Sequence, residues 1–207
     1  MADLVSGRYP QTDSFSAGVF GLAGNGTQSN IPLATNARYT GLASLADGAA
    51  LVTNKLVCVA VPVDQGVTYS KVNFVAGATA PTTTHVYAAV YSGLATPATA
   101  ALLAQSTDAT STAPTASAAN AFTLATAQTA TATNAPFGYW YVGIQETGTV
   151  NSAASVSIAA ALQNLSASWV TNGPFAYAFS VAATTGTAPA TLASITAVSI
   201  TPIVWLS

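Results

Sequence analysis

Charge is what this sequence has least of. Lys and Arg total four, Asp and Glu six, so that 5% of the 207 residues are charged, against about 25% in ordinary soluble domains. Asp3, Arg8, Asp13, Arg38, Asp47, Lys55, Asp64 and Lys71 hold all but two of these charges; beyond Lys71 only Asp108 and Glu146 remain. A chain with no Lys or Arg over most of its length cannot neutralise a run of phosphates, which excludes nucleic acid as a partner. Polybasic attachment to a membrane fails on the same ground.

Metal-ligating and nucleophilic residues are equally scarce. His85 is the single histidine and Cys58 the single cysteine. No His-rich metal cluster can form within one chain, and no disulfide can close. Cys58 sits inside the apolar run "LVCVAVPV" and reads as a small buried hydrophobe rather than a reactive thiol. The motifs G-x-S-x-G, H-E-x-x-H and G-x-x-x-x-G-K-[ST] do not occur. "GLAGNG" has the glycines of a phosphate loop but neither a strand before it nor a helix after it. A serine nucleophile would need His85 as base and an acid to orient it, and "PTTTHVY" supplies none locally. His85 reads instead as a rim or interface residue. Asp108 and Glu146 flank expected turns and read as solvated loop acids rather than a glycosidase pair. No catalytic residue, cofactor or metal is expected.

Long hydrophobic runs are missing too. Mean hydropathy is positive, +0.47, but alanine inflates it and Thr, Ser, Asn, Gln or Pro interrupts every apolar run. The longest candidate, "VSIAAAL", has the length of a strand. "MADLVSGRYPQTDSF" carries an acid at position 3 and has no apolar core of a signal peptide. The expectation is a protein made in a cytoplasm with no membrane insertion. Its surface must be Thr, Ser, Ala and Asn, which suits a packed assembly better than a freely diffusing monomer.

What is present is strand patterning. Residues 1–50 are rich in Gly, Asn and Ser and keep no period, which predicts an extended N-terminal arm. From residue 51 onward, β-branched or alternating runs lie between turn signals: 55–63, 67–77, 84–93, 101–106, 120–126, 137–145, 155–162 and 175–182. In the last of these Phe175, Tyr177, Phe179 and Val181 share one face. A long final strand is expected over 193–207, with Pro202 marking a bulge or an edge. About nine strands, no helix and turns every 8–12 residues predict an all-β, antiparallel jelly-roll-like β-sandwich over 51–207.

The densest aromatic stretch is "NAPFGYWYVGIQETG". As a strand it sends Trp140, Val142 and Ile144 to one face, which reads as core. Tyr139 and Tyr141 go to the other, either as packing on a second face or as exposed contacts.

Three segments, "VPVDQGVTYSKVNFVAGATAPTTTHVYAAVYSG", "LLAQSTDATS" and "FTLATAQTATATNAPFGYWYVGIQ", together resemble a module found in virion proteins of tailed phages, especially those of actinobacteria. The resemblance covers roughly 56–145, and its motifs are structural. It implies a β-sandwich, often a homotrimer, exposed on the particle as a capsid decoration, head-fibre or minor tail protein. On that footing the expected function is capsid decoration, with the major capsid protein and copies of itself as partners. The arm would grip the shell through Arg8, Tyr9, Phe15, Phe20, Arg38 and Tyr39. The alternative is a tail-tip module in which Tyr139 and Tyr141, with Trp169 or Trp205, stack on host surface glycan.

Overall fold

The computed structural model describes residues 28–29, 45–51, 53–78, 82–110, 112–149, 152–156, 178–183, 186–198 and 202–207. Its strands are β1 (Gln28–Ser29), β2 (Leu45–Ala50), β3 (Lys55–Pro62), β4 (Thr68–Val75), β5 (Thr82–Tyr91), β6 (Leu102–Gln105), β7 (Ala119–Thr129), β8 (Tyr139–Thr149), β9 (Ser152–Val156), β10 (Ala178–Ala182), β11 (Thr196–Ala197) and β12 (Val204–Leu206). Among the described residues a 3-10 turn, Pro97–Thr99, lies between β5 and β6. The chain is an all-β sandwich of two antiparallel sheets.

One sheet has the order β11-β10-β3-β8-β5-β6, the other β1-β12-β4-β7, and β2 pairs with β9 separately. The ladders β3·β8, β4·β7 and β5·β6 are nested like the rungs of one long hairpin, and β5 also pairs with β8. That is a hairpin rolled upon itself, the jelly-roll arrangement. An antiparallel bridge between Ser106 and Leu124 joins the sheets along one side.

The six-stranded sheet is buried on both faces, which is why β3, β5 and β8 read as nearly continuous apolar runs. Its inner face sets Val57, Val59 and Val61 of β3 and Trp140, Val142 and Ile144 of β8 against Tyr69, Val72 and Phe74 of β4. Trp140 meets Tyr69 edge to face, centroids 5.6 Å apart. The outer face carries Leu56, Cys58, Tyr87, Tyr91, Tyr139, Tyr141 and Phe179, covered by Ala188 and Leu192 of the segment 186–195. This strap is tied down by hydrogen bonds from Tyr87 Oη to Thr187 O (3.0 Å) and from Tyr91 Oη to Pro189 O (2.8 Å). Gly143 makes the outer layer possible: a Cβ there would lie 2.7 Å from Leu56 Cγ and 2.9 Å from Cys58 Sγ.

The expected strands from 55 to 145 are all present, β7 and β8 running a few residues longer. Two expectations need correction. The final strand is not one but two: β11 belongs to the six-stranded sheet and β12 to the four-stranded one. Pro202, just ahead of β12, has no N–H for a continuous ladder. Glu146 is no loop acid; it lies within β8 and is fully buried. Within the expected arm, Gln28–Ser29 pairs with Trp205–Leu206 and Leu45–Ala50 pairs with β9. The rest of that segment, and Trp169, Phe175 and Tyr177, lie outside the described residues.

Burial pushes the Cys58 thiol and the Tyr87 and Tyr91 phenols well above their ordinary values. The folded state therefore holds these protons more tightly than the unfolded chain does. Their contribution to stability is complete below the unfolded pKa values, about 8.5 for thiol and 10 for phenol, and is lost as pH rises beyond them. Urea midpoints measured from pH 7 to 11 should show no loss from these groups below about pH 8 and a steep fall above about 10. An undiminished midpoint at pH 11 would contradict this burial.

Candidate functional site

Two places carry the residues singled out by sequence. The first is the end of the sandwich where β8 begins. Tyr139 and Tyr141 are 5% and 0% exposed, so neither ring offers a free face to a sugar. Both belong to the outer core, in contact edge to face at 5.3 Å, and Tyr141 meets Phe179 at 5.4 Å. Their hydroxyls both donate to Leu94 O, at 3.0 and 3.1 Å. The exposed ring here is Phe137, 53% accessible and stacked on Tyr139 at 6.2 Å. Alternation along β8 gives the facing of the tyrosines but not the exposure of Phe137, which sits in the turn before the strand. Trp205 alternates with the buried Val204 and Leu206 of β12, half-buried on the outward face of the four-stranded sheet opposite Asn73.

This end is rigidly built. Asn134 Oδ1 accepts from Trp140 Nε1 (3.2 Å) and from Thr131 N (2.8 Å). Asn134 Nδ2 donates to Thr129 O, and its carbonyl accepts from Gly93 N at 2.8 Å. The side chain thus joins the turn, the end of β7 and the buried indole, while the backbone carbonyl of the same residue holds the loop after β5. Gly93 admits no substitute, since a Cβ would fall 1.7 Å from Tyr139 O.

The second place is His85. Its Nδ1 lies 2.5 Å from Asp108 Oδ2, and Asp108 Oδ1 accepts from Val86 N at 3.1 Å. The orienting acid missing from the local sequence arrives from beyond β6. Ala89 pairs with Gln105, and Ala109 N donates to Val86 O, so the hairpin register carries Asp108 alongside Val86. Asp108 is therefore a part-buried partner, 18% exposed, and not a solvated loop acid; His85 is 31% exposed. Gly186, at the start of the strap, presses against the pair: a Cβ there would sit 2.8 Å from Asp108 Oδ2.

Thr84 Oγ1 donates to Thr147 O, Ser106 Oγ donates to Thr107 O, and Thr147 Oγ1 accepts from Gln145 Nε2. Thr84 and Ser106 thus donate to backbone carbonyls, whereas the buried Thr83 Oγ1 has no hydrogen-bond partner among the described residues. Among the described residues no group of three or more His, Cys, Asp and Glu is placed to hold a metal, and no helix is long and apolar enough to cross a membrane. Arg8, Tyr9, Phe15, Phe20, Arg38 and Tyr39 lie outside the described residues. No protein-family model matches the chain, and no curated protein matches it.

Asn134→Ala strands the buried Trp140 N–H and should cost about 1–3 kcal/mol. Tyr141→Phe removes one hydroxyl donor while keeping the ring, and should cost about 0.5–1.5 kcal/mol. Urea titration of the two variants orders them; a larger loss for Tyr141→Phe would show that Asn134 is not the tie.

Proposed function

We propose that this chain is a structural protein of a tailed-phage virion, acting as a decoration protein on the outside of the capsid. The observation that carries the reading is where the resemblance falls. Residues 56–145 correspond to β3 through β8, the complete rolled hairpin, so the similar segments form one closed structural unit. The segments before it add at its margins, β1 on the edge of the four-stranded sheet beside β12 and β2 beside β9. An arm leading into a compact sandwich suits a subunit that grips a lattice with one part and caps it with another.

Surface chemistry supports the same reading. Of the two charges beyond Lys71, Glu146 is buried and Asp108 is paired with His85. A sandwich with so few exposed charges makes contact through shape, apolar area and hydroxyls. Its work would be mechanical: each copy buries surface across neighbouring capsid subunits and opposes their separation, and many copies on a symmetric shell act together. The partners are the major capsid protein and further copies of the chain as a homotrimer, with the arm residues Arg8, Tyr9, Phe15, Phe20, Arg38 and Tyr39 as the grip. The tail-tip alternative loses Tyr139 and Tyr141 as glycan platforms because both are buried.

Quantitative mass spectrometry of purified virions, scaled to the major capsid protein, tests the proposal. Decoration requires a copy number of the same order as that protein. A few copies per particle would place the chain in the tail and end the decoration reading.

A further inference from the structure

Phe137 is the one large apolar side chain that stands well out of the surface among the described residues, 53% exposed. Its ring is not a loose projection. One face lies on Tyr139, with centroids 6.2 Å apart and planes 21° from parallel, which leaves the other face to solvent. The turn beneath is fixed by hydrogen bonds from Ala135 N to Thr131 O (2.8 Å) and from Gly138 N to Ala135 O (3.0 Å). Gly138, at φ +72°, lets the chain enter β8 directly after the ring. An aromatic ring held in one orientation before a partner arrives loses little entropy on binding.

An acid stands beside this turn. Pro62 pairs with Tyr139, and Val63 N donates to Gly138 O at 2.9 Å, so the ladder count brings Asp64 opposite Phe137. Asp64 is exposed, whereas Asp108 is paired with His85 and Glu146 is buried. The segments that build this end, 62–67, 93–99 and 130–139, contain no Lys or Arg. An open aromatic face and a carboxylate at adjacent positions, with no cation in the segments around them, are complementary to one positive charge.

We propose that Phe137 and Asp64 receive an arginine side chain of a protein partner. A guanidinium is flat and lies on a ring while its N–H groups reach a carboxylate. Lysine is the poorer fit, since its ammonium is a strongly hydrated point charge with no plane to stack. A neutral sugar would stack on the ring without neutralising Asp64. One ring and one charge make an anchor point, with the polar residues around it as its rim. The inference uses this end of the sandwich alone and stands apart from the virion reading.

The test is a titration of the full, isotope-labelled chain with a capped Gly-Gly-Arg-Gly-Gly peptide, followed by backbone amide shifts. Peptides carrying lysine or citrulline in place of the arginine, and the neutral sugar maltohexaose, are run beside it. The expected result is saturable shifts at Asp64, Gln65, Phe137 and Gly138 with the arginine peptide and weaker binding with lysine. Citrulline, which keeps the shape without the charge, should give none. Phe137→Ala and Asp64→Asn should each weaken binding about 2–5-fold, the size of one exposed cation–π contact or ion pair. Added salt should weaken it as well. Amide shifts away from this end report whether each variant folds, and the peptide series and salt dependence are read on the unaltered protein. Absence of shifts at this end with the arginine peptide, equal binding of the citrulline peptide, or saturation by maltohexaose alone would overturn the proposal.

Discussion

Strand β8 is buried on both faces, and the rest of the molecule is arranged to satisfy that constraint. Trp140, Val142 and Ile144 need a second sheet beneath them, which the rolled β4·β7 ladder and β12 provide. Tyr139 and Tyr141 need a cover above, which no strand among the described residues supplies. A strap without regular structure does it instead, its carbonyls taken up by tyrosine hydroxyls. Fully burying a large apolar side chain contributes about 1.5–3 kcal/mol, and a net hydrogen bond about 1 kcal/mol. The apolar area on the two faces thus dominates, and the hydroxyl ties decide which segment covers the outer one.

With charge nearly absent, specificity has to come from elsewhere. Ion pairs that would set strand register or orient loops in an ordinary domain are replaced by small polar side chains at junctions. Asn134 links the turn, the end of β7 and the core. Gln105 Oε1 accepts from Ala188 N at 2.9 Å and fastens the strap to β6. Asn73 Nδ2 reaches Ser207 Oγ at 3.0 Å and holds the end of β12 to β4. Glycines with no room for a Cβ, Gly93 and Gly143, fix the closest approaches.

How much of this was legible follows from what each element depends on. Strands β3 through β8 could be read because each is an apolar or alternating run between turn residues, and period alone identifies such runs. Alternation in "YWYVGIQ" also gave the correct split between Trp140 and its flanking tyrosines. Strands β1 and β2 could not be read: Gln28–Ser29 and Leu45–Ala50 have no period of their own and are strands because partners pair with them. The division of the C-terminal segment turns on which sheet each half joins, a tertiary fact with only Pro202 as a local sign. The His85–Asp108 pair depends on the register of β5 against β6, set across the loop containing Gly93 and Pro97, and no local spacing encodes it. Glu146 reads as a loop acid because the turn signal Thr147-Gly148 falls inside β8, where Gly148 adopts φ +113° without ending the strand.

The strap has a consequence in time. The rolled hairpin is complete once β8 has been synthesised, yet the cover for its outer face, 186–195, and the strand that widens its second sheet, β12, are encoded later in the chain. During synthesis the tyrosine-lined face of β3, β5 and β8 must therefore wait uncovered, a long apolar sheet surface of the kind that chaperones hold and that aggregates when they do not. A growing chain of this protein is most vulnerable when its jelly roll is already wound, and maturity comes with the strap rather than with the sandwich.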